Sequence, residues 1–271
     1  MVEILTPPVD HDLNRVTQAV LVSGSYAIWL GFLVYTVLIG RKERTPFYTF
    51  IVMAAAVGGY VEPLYDNALM LYFYTPGMWK TFTAFDIPQP MWVYSGYVTL
   101  YASVAVFLTR DIQRGITRAK WYKYAISELL TSCIFEMIGI NGGAYEYWGP
   151  HVFRIFKYPL CIGVLEMAQV MVFSTVCANV RARATSWPAL LTIFFVFPFT
   201  MVGSNAGIGS PLIVALHSSN PTEAVVTVGS LLCIAFACVV VWGAYFFLPS
   251  EGKIALEESN GHARYTDGED A

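Results

Sequence analysis

Charge is scarce in this sequence. Of its 271 residues only 13% are Asp, Glu, Lys or Arg, against about 25% in a typical soluble domain. That leaves too little polar surface to face water on all sides. With 56% hydrophobic residues and a mean hydropathy of +0.54, lipid is the natural solvent for the chain. A net charge of -3 gives no sign of nucleic-acid binding, which usually shows as a basic patch. The five cysteines (Cys133, Cys161, Cys177, Cys233 and Cys238) fall inside apolar runs and form no CxxC pair. They read as small hydrophobes in helix packing rather than as disulfides or metal ligands. The N-terminus, with Glu3, Asp10 and Asp12, lacks the basic stretch of a cleaved signal peptide, so the first apolar segment is expected to stay.

Several kinds of chemistry lack their residues. The four histidines (His11, His151, His217 and His262) lie in expected loops or tails, which argues against haem or di-metal sites built on intramembrane His. The last apolar run has no lysine for a retinal Schiff base. No P-loop or Gly-rich nucleotide motif is present, and neither are the paired Asp-rich motifs of magnesium-dependent prenyl chemistry. Arg110-Asp111 is a poor imitation of the signature of seven-helix receptors. What remains is chemistry without a metal or cofactor.

Apolar runs of about 20 residues are what the sequence does have, and that length crosses a bilayer. They fall at 16–40, 47–74, 91–109, 122–140, 160–180, 188–216 and 225–248. The expected fold is an all-α integral membrane bundle of about seven transmembrane helices, one domain over residues 1–248. Residues 249–271 are polar and acidic and are expected to form a disordered cytoplasmic tail. With seven spans, twelve of the 16 basic residues fall on one side, among them Arg41, Arg110, Arg118 and Arg181. Only Arg15, Lys80, Arg154 and Lys157 fall on the other. The positive-inside rule then places the N-terminus outside and the C-terminus in the cytoplasm. Tyr72, Phe73 and Tyr74, with Tyr145, Tyr147 and Trp148, stand where an interfacial aromatic belt is expected.

Acidic residues inside the apolar runs are the most informative feature. Glu62, Asp66, Glu128, Glu136 and Glu166 lie within expected spans, and no Lys or Arg lies mid-span to neutralise them. Each charge at such a depth costs a few kcal/mol, so five acids call for an explanation. A low dielectric disfavours the ionised form of an unpaired carboxyl, and a neutral carboxylic acid beside an apolar pocket is a proton donor. Glu62 and Asp66 are four apart and share a helix face. Pro63 between them has no N–H to donate to the Gly59 carbonyl. With Gly58 and Gly59 it predicts a break in the helix, tolerated only where backbone is buried or lines a cavity.

Counted along their helices, Glu136 and Glu166 reach a depth similar to Glu62. Glu128 lies deeper and reads as structural. Asn141-Gly142-Gly143 is expected to end the fourth helix. Glu62 is the candidate general acid, Asp66 its orienting neighbour and Glu136 the partner acid or base. Tyr65, Asn67, Asn141, Glu146 and Glu166 are the candidate substrate-binding residues.

Two segments, GGYVEPLYDNALMLYFY (residues 58–74) and FEMIGINGGAYEYWGPHVFRIFKYPL (residues 135–160), resemble the AveC-like spirocyclase family of integral membrane proteins. The first is similar to that family's Glu-Pro-x-x-Asp helix and the aromatic residues after it. The second is similar to its Glu followed by Gly-x-Tyr-x-Tyr-x-Gly and Phe-x-x-Pro-Leu. The resemblance implies ring closure, such as spiroketalisation, of a lipophilic secondary metabolite of polyketide or terpenoid type, with Glu62, Asp66, Glu136 and Glu146 at motif positions. The layout also resembles membrane-bound terpene cyclases, in which protonation of an epoxide or alkene starts a carbocation cascade. Tyr60, Tyr65, Trp92 and Tyr94 could then stabilise cations through their π faces. The rival expectation is a proton-coupled transporter using the same carboxyls as a relay.

Overall fold

The computed structural model describes residues 6–249; Glu3 and the tail beyond residue 249 lie outside the described residues. Long helices run up and down: α1 (Arg15–Glu43), α2 (Phe47–Leu69), α3 (Trp92–Gln113), α4 (Arg118–Asn141), α5 (Leu160–Arg183) and α6 (Trp187–Ile208). A short α7 (Ser210–Leu216) and a long α8 (Glu223–Phe246) complete the bundle. Helix starts carry the chemistry their sequence offers. Asn14 Oδ1 accepts from the Val16 and Thr17 N–H groups, and the Thr117 and Thr222 hydroxyls accept from Lys120 and Val225. Such caps satisfy donors that the first helical turn leaves unpaired.

Six of these helices are long and apolar enough to cross a membrane: α1, α2, α3, α5, α6 and α8. Their outward residues are large and apolar, among them Val16, Leu30, Phe195 and Phe199, the last two more than three-quarters exposed. Water would penalise such a surface; acyl chains would not. The fold is therefore a mostly helical membrane bundle, with α5 at its centre, where sixteen of its residues are buried.

Two helices break where the sequence interrupts their hydrogen bonding. In α2 the Gly59–Val61 stretch tightens to a 3₁₀ turn, and Pro63 stands at the start of the resumed helix. That is the break expected from Gly-Gly and Pro63. The helix was expected to run on to Tyr74 but ends at Leu69. Met70 turns left-handed at φ 55°, and Leu71–Phe73 leaves as a strand because it finds a partner in the second motif. The run expected as one helix over 188–216 is four pieces, since Pro198, Pro211 and three glycines punctuate it. Its middle, Gly203–Ile208, widens into a π-turn. A second π-turn, Val98–Ala102, lies in α3.

Six short strands gather at one end: β1 (Leu71–Phe73), β2 (Lys80–Ala84), β3 (Ile87–Pro90), β4 (Tyr145–Tyr147), β5 (Arg154–Ile155) and β6 (Tyr158–Pro159). They pair antiparallel as β1–β4, β2–β3 and β5–β6. In β1–β4, Leu71 faces Tyr147 and Phe73 faces Tyr145. This ladder joins the two acidic motifs, which lie about 75 residues apart in sequence.

Candidate functional site: a carboxyl and phenol chamber

The strand end closes over a chamber between α2, α3, α4 and α5. Three carboxyls from three helices line it: Glu62 of α2, Glu136 of α4 and Glu166 of α5. All three are at most 7% exposed. Among the described residues the lining holds no Lys, Arg or His. Its remaining polar groups are phenols, and the rest is apolar, including Phe73, Trp92 and Phe135.

Glu166 is the hub of the hydrogen bonding. Tyr65 and Tyr101 donate to its Oε1 at 3.3 and 3.2 Å, and Tyr158 donates to Oε2 at 2.9 Å. The Ser132 hydroxyl donates to the same Oε2. Tyr65 and Tyr147 share a hydrogen bond of 2.7 Å, and Tyr147 donates to Glu136 at 3.4 Å. Tyr97 donates to Glu62. Asp66 is fully buried directly behind Glu62, where Gln89 Nε2 donates to its Oδ2 at 2.6 Å. Four donors around one carboxylate form an environment that solvates negative charge without water.

Local structure explains the convergence. Tyr97 and Tyr101 lie one turn apart, and their rings meet edge-to-face at 5.0 Å. The π-turn beside them widens the helix at this level; such turns recur at functional sites. In β4 alternate residues face alternate sides, so Tyr145 and Tyr147 enter the chamber. On α4, Glu128, Ser132 and Glu136 recur every fourth residue, which puts all three on one face.

The structure thus brings together Glu62, Glu136, Glu166 and Tyr65, with Asp66 against Glu62. It places the other three candidates elsewhere. Asn67, one residue past Asp66, turns to the exposed side of α2. Asn141 Nδ2 donates to the Met137 and Phe156 carbonyls at 2.8 and 2.9 Å, tying the end of α4 to the following loop. Glu146 points to the opposite face of β4, towards Tyr74 and Arg154. None of the three lines the chamber.

The expected aromatic belt is also different. Phe73, Tyr145 and Tyr147 are at most 3% exposed, because strand pairing turns them inward. Of the aromatics expected near a cavity, Tyr65 and Trp92 line it, while Tyr60 is exposed. Tyr97, Tyr101, Tyr158, Ser132 and Gln89 were not anticipated. Two tyrosines at i and i+4 on α3, and the Glu-x-x-x-Ser-x-x-x-Glu spacing on α4, were the available signals.

Two buried groups lie apart from the chamber. His151, in the loop after β4, sets its Nε2 3.0 Å from the Leu69 carbonyl. Burial, aided by the Arg154 cation, pushes its imidazole down to about 3, so the ring is neutral and donates that bond. Deeper on α4, Glu128 is fully buried with both carboxyl oxygens lacking a hydrogen-bond partner. Among the described residues no group of three or more His, Cys, Asp or Glu is arranged to hold a metal ion. Comparison with protein-family models, with curated protein sequences and with solved structures finds no match for this chain.

Proposed function

We propose that the protein is a cofactor-independent membrane cyclase that closes a ring in a lipophilic metabolite by acid catalysis. The observation that carries this reading is the convergence of Glu62, Glu136 and Glu166 in one buried chamber free of cations. An apolar, water-poor enclosure keeps a carboxylic acid neutral and strengthens its proton donation. Glu62, with one phenol donor, is the general acid, and Asp66 behind it fixes its orientation. It protonates a carbonyl, epoxide or alkene of the substrate. An internal hydroxyl or double bond then attacks the electron-poor carbon. Glu136 takes up the released proton, and Glu166, held by four hydroxyls, balances positive charge as it develops. The faces of Trp92, Tyr97 and Tyr101 supply further cation stabilisation. The product has the substrate's mass, or is lighter by water where a ketal forms.

The likeness of residues 58–74 and 135–160 to AveC-like spirocyclases supports the same chemistry. The two stretches supply Glu62, Asp66, Glu136 and both inward tyrosines of β4. We further propose that α4 is a seventh crossing, with the N-terminus outside. Its exposed Ile126, Leu130, Ile134 and Ile138 form one apolar row opposite Glu128, Ser132 and Glu136, the reverse of an amphipathic helix in water. The chamber then opens in the outer half of the membrane.

The test is production of wild type and Glu62→Gln in a metabolite-producing host, with mass profiling of lipophilic extracts. Wild type alone should yield a product of equal mass or one lighter by water, and the variant should lose about 10²- to 10⁴-fold in rate. Full activity in a folded Glu62→Gln protein would sink the mechanism. One observation favours proton-coupled transport instead: Glu128, unpartnered and deeper in the bundle, would extend a carboxyl relay beyond the chamber. That reading requires substrate uptake driven by a pH gradient, whereas a cyclase turns over in detergent without one.

A further inference from the structure

Tyr65 is a wall with two sides. One side faces the acid chamber, where its hydroxyl meets Tyr147 and Glu166. The other lines a separate groove between α2 and the π-turn of α6. Leu64 and Ala68 of α2, with Val202, Asn205 and Ala206 of α6, form its remaining sides. Leu64 and Val202 are 50% and 41% exposed on the outer surface of the bundle, so the groove opens sideways, towards acyl chains rather than towards water.

A single polar side chain interrupts this apolar lining. Asn205 is only 3% exposed. Its Nδ2 donates to the Met201 carbonyl at 3.0 Å, but its Oδ1 accepts from no group among the described residues. A buried acceptor left bare costs about 1–3 kcal/mol, and in lipid no water is at hand to relieve it. Asn is also a poorer helix former than Ala, and the π-turn around it gives up regular backbone bonding. An acceptor built into an apolar groove is matched by a ligand with one donor and an apolar body.

We propose that this groove is a lateral binding site for the hydroxyl-bearing end of a lipophilic molecule. The hydroxyl donates to Asn205 Oδ1, the chain lies along Leu64, Ala68 and Val202, and Tyr65 is the partition between this site and the acid chamber. The binding site stands on its own geometry; the role of Tyr65 as a partition before a reaction chamber rests on the cyclase reading. A substrate with a free hydroxyl, the nucleophile that ring closure needs, then enters from the bilayer and is held hydroxyl-first.

The probe is hexadecan-1-ol carrying a photoreactive diazirine, compared with its methyl ether, which accepts but cannot donate. Both are irradiated with the purified full-length protein in nanodiscs, and labelled peptides are quantified by mass spectrometry. The alcohol should label residues 61–69 and 201–206 about five to ten times more than the ether, the factor expected for one neutral hydrogen bond. Asn205→Leu should abolish that preference, and Ala206→Trp, which fills the groove from its exposed rim, should abolish labelling. Tyr65→Leu should let label reach residues 92–101 of the chamber.

Equal labelling by alcohol and ether, or a preference that survives Asn205→Leu, would reduce the groove to ordinary lipid contact. Should Asn205→Leu not fold, the alcohol-to-ether ratio and Ala206→Trp still decide the matter. Confinement of label to the groove in Tyr65→Leu would overturn the partition. Glu62→Gln should label as wild type does. Alcohol-selective labelling together with full activity of a folded Glu62→Gln protein would refute the cyclase reading and leave the groove standing.

Discussion

The close approach of β4 to α4 can be tested through one glycine. A Cβ placed on Gly139 would lie 2.5 Å from both Cε1 and Cζ of Tyr145, whereas ordinary contact begins near 3.4 Å. In Gly139→Ala the ring must therefore retreat by about 0.9 Å. Tyr145 is 3% exposed and packs edge-to-face on Phe73 at 5.3 Å, so it has little room. Overpacking of this kind costs about 1–3 kcal/mol. Because Tyr145 lies against the Glu136 carboxyl, the shift also moves the group proposed to take up the proton, and a displacement near 1 Å can cost about 10²-fold in rate. The assay is thermal or denaturant unfolding in detergent, run as a double-mutant cycle with Tyr145→Leu. Removing the ring should remove the clash, so the double variant should be more stable than the sum of the two single losses by about 1 kcal/mol or more. Additive losses, or a Gly139→Ala protein as stable as wild type, would refute the packing of Tyr145 over the end of α4.

Two further outcomes follow from the site. Glu166→Leu strips the acceptor from Ser132, Tyr65, Tyr101 and Tyr158. At about 1–3 kcal/mol for each donor left unpaired, unfolding measurements should show a loss large enough to prevent stable accumulation, while Glu166→Gln, which keeps one acceptor, should fold; equal stability of the two would contradict the hub. His151 is held near 3 in the fold against 6.5 unfolded, so the unfolded chain binds the extra proton first as pH falls. Stability from this residue is complete above about pH 6.5 and declines towards pH 3, by roughly 2 kcal/mol at pH 5. His151→Gln, which can still donate to the Leu69 carbonyl, should flatten that part of the acid limb in pH-dependent melting, and an unchanged difference from wild type between pH 7 and 5 would rule it out.

The helices and the depth of the acids were legible because both follow from local pattern. A carboxyl in an apolar run, a proline beside it and an i to i+4 spacing each have one physical reading, and Glu62, Asp66, Glu136 and Glu166 are buried together. The strand end was not legible. Leu71-Tyr72-Phe73 and Tyr145-Glu146-Tyr147 are each too short to signal a strand alone, and only their mutual pairing turns Tyr145 and Tyr147 inward and Glu146 away. Gln89 reaches Asp66 from an irregular hairpin 23 residues later, a distance no periodicity reports. Asn67 and Asn141 were linked to the site by proximity in sequence. A helix rotates successive residues by about 100°, enough to turn Asn67 outward, and Asn141 is occupied with closing its own helix end.

The β1–β4 ladder also sets an order on how the chain can be made. Glu62 and Asp66 leave the ribosome about 100 residues before Glu166, the carboxyl that shares their chamber. Tyr147, which closes the ladder on Leu71, follows them by about 80. During that interval α2 carries two acids and no finished enclosure. The walls that α4 and α5 supply to those acids come later in the chain. The enclosure of an early helix therefore waits on residues that are made late.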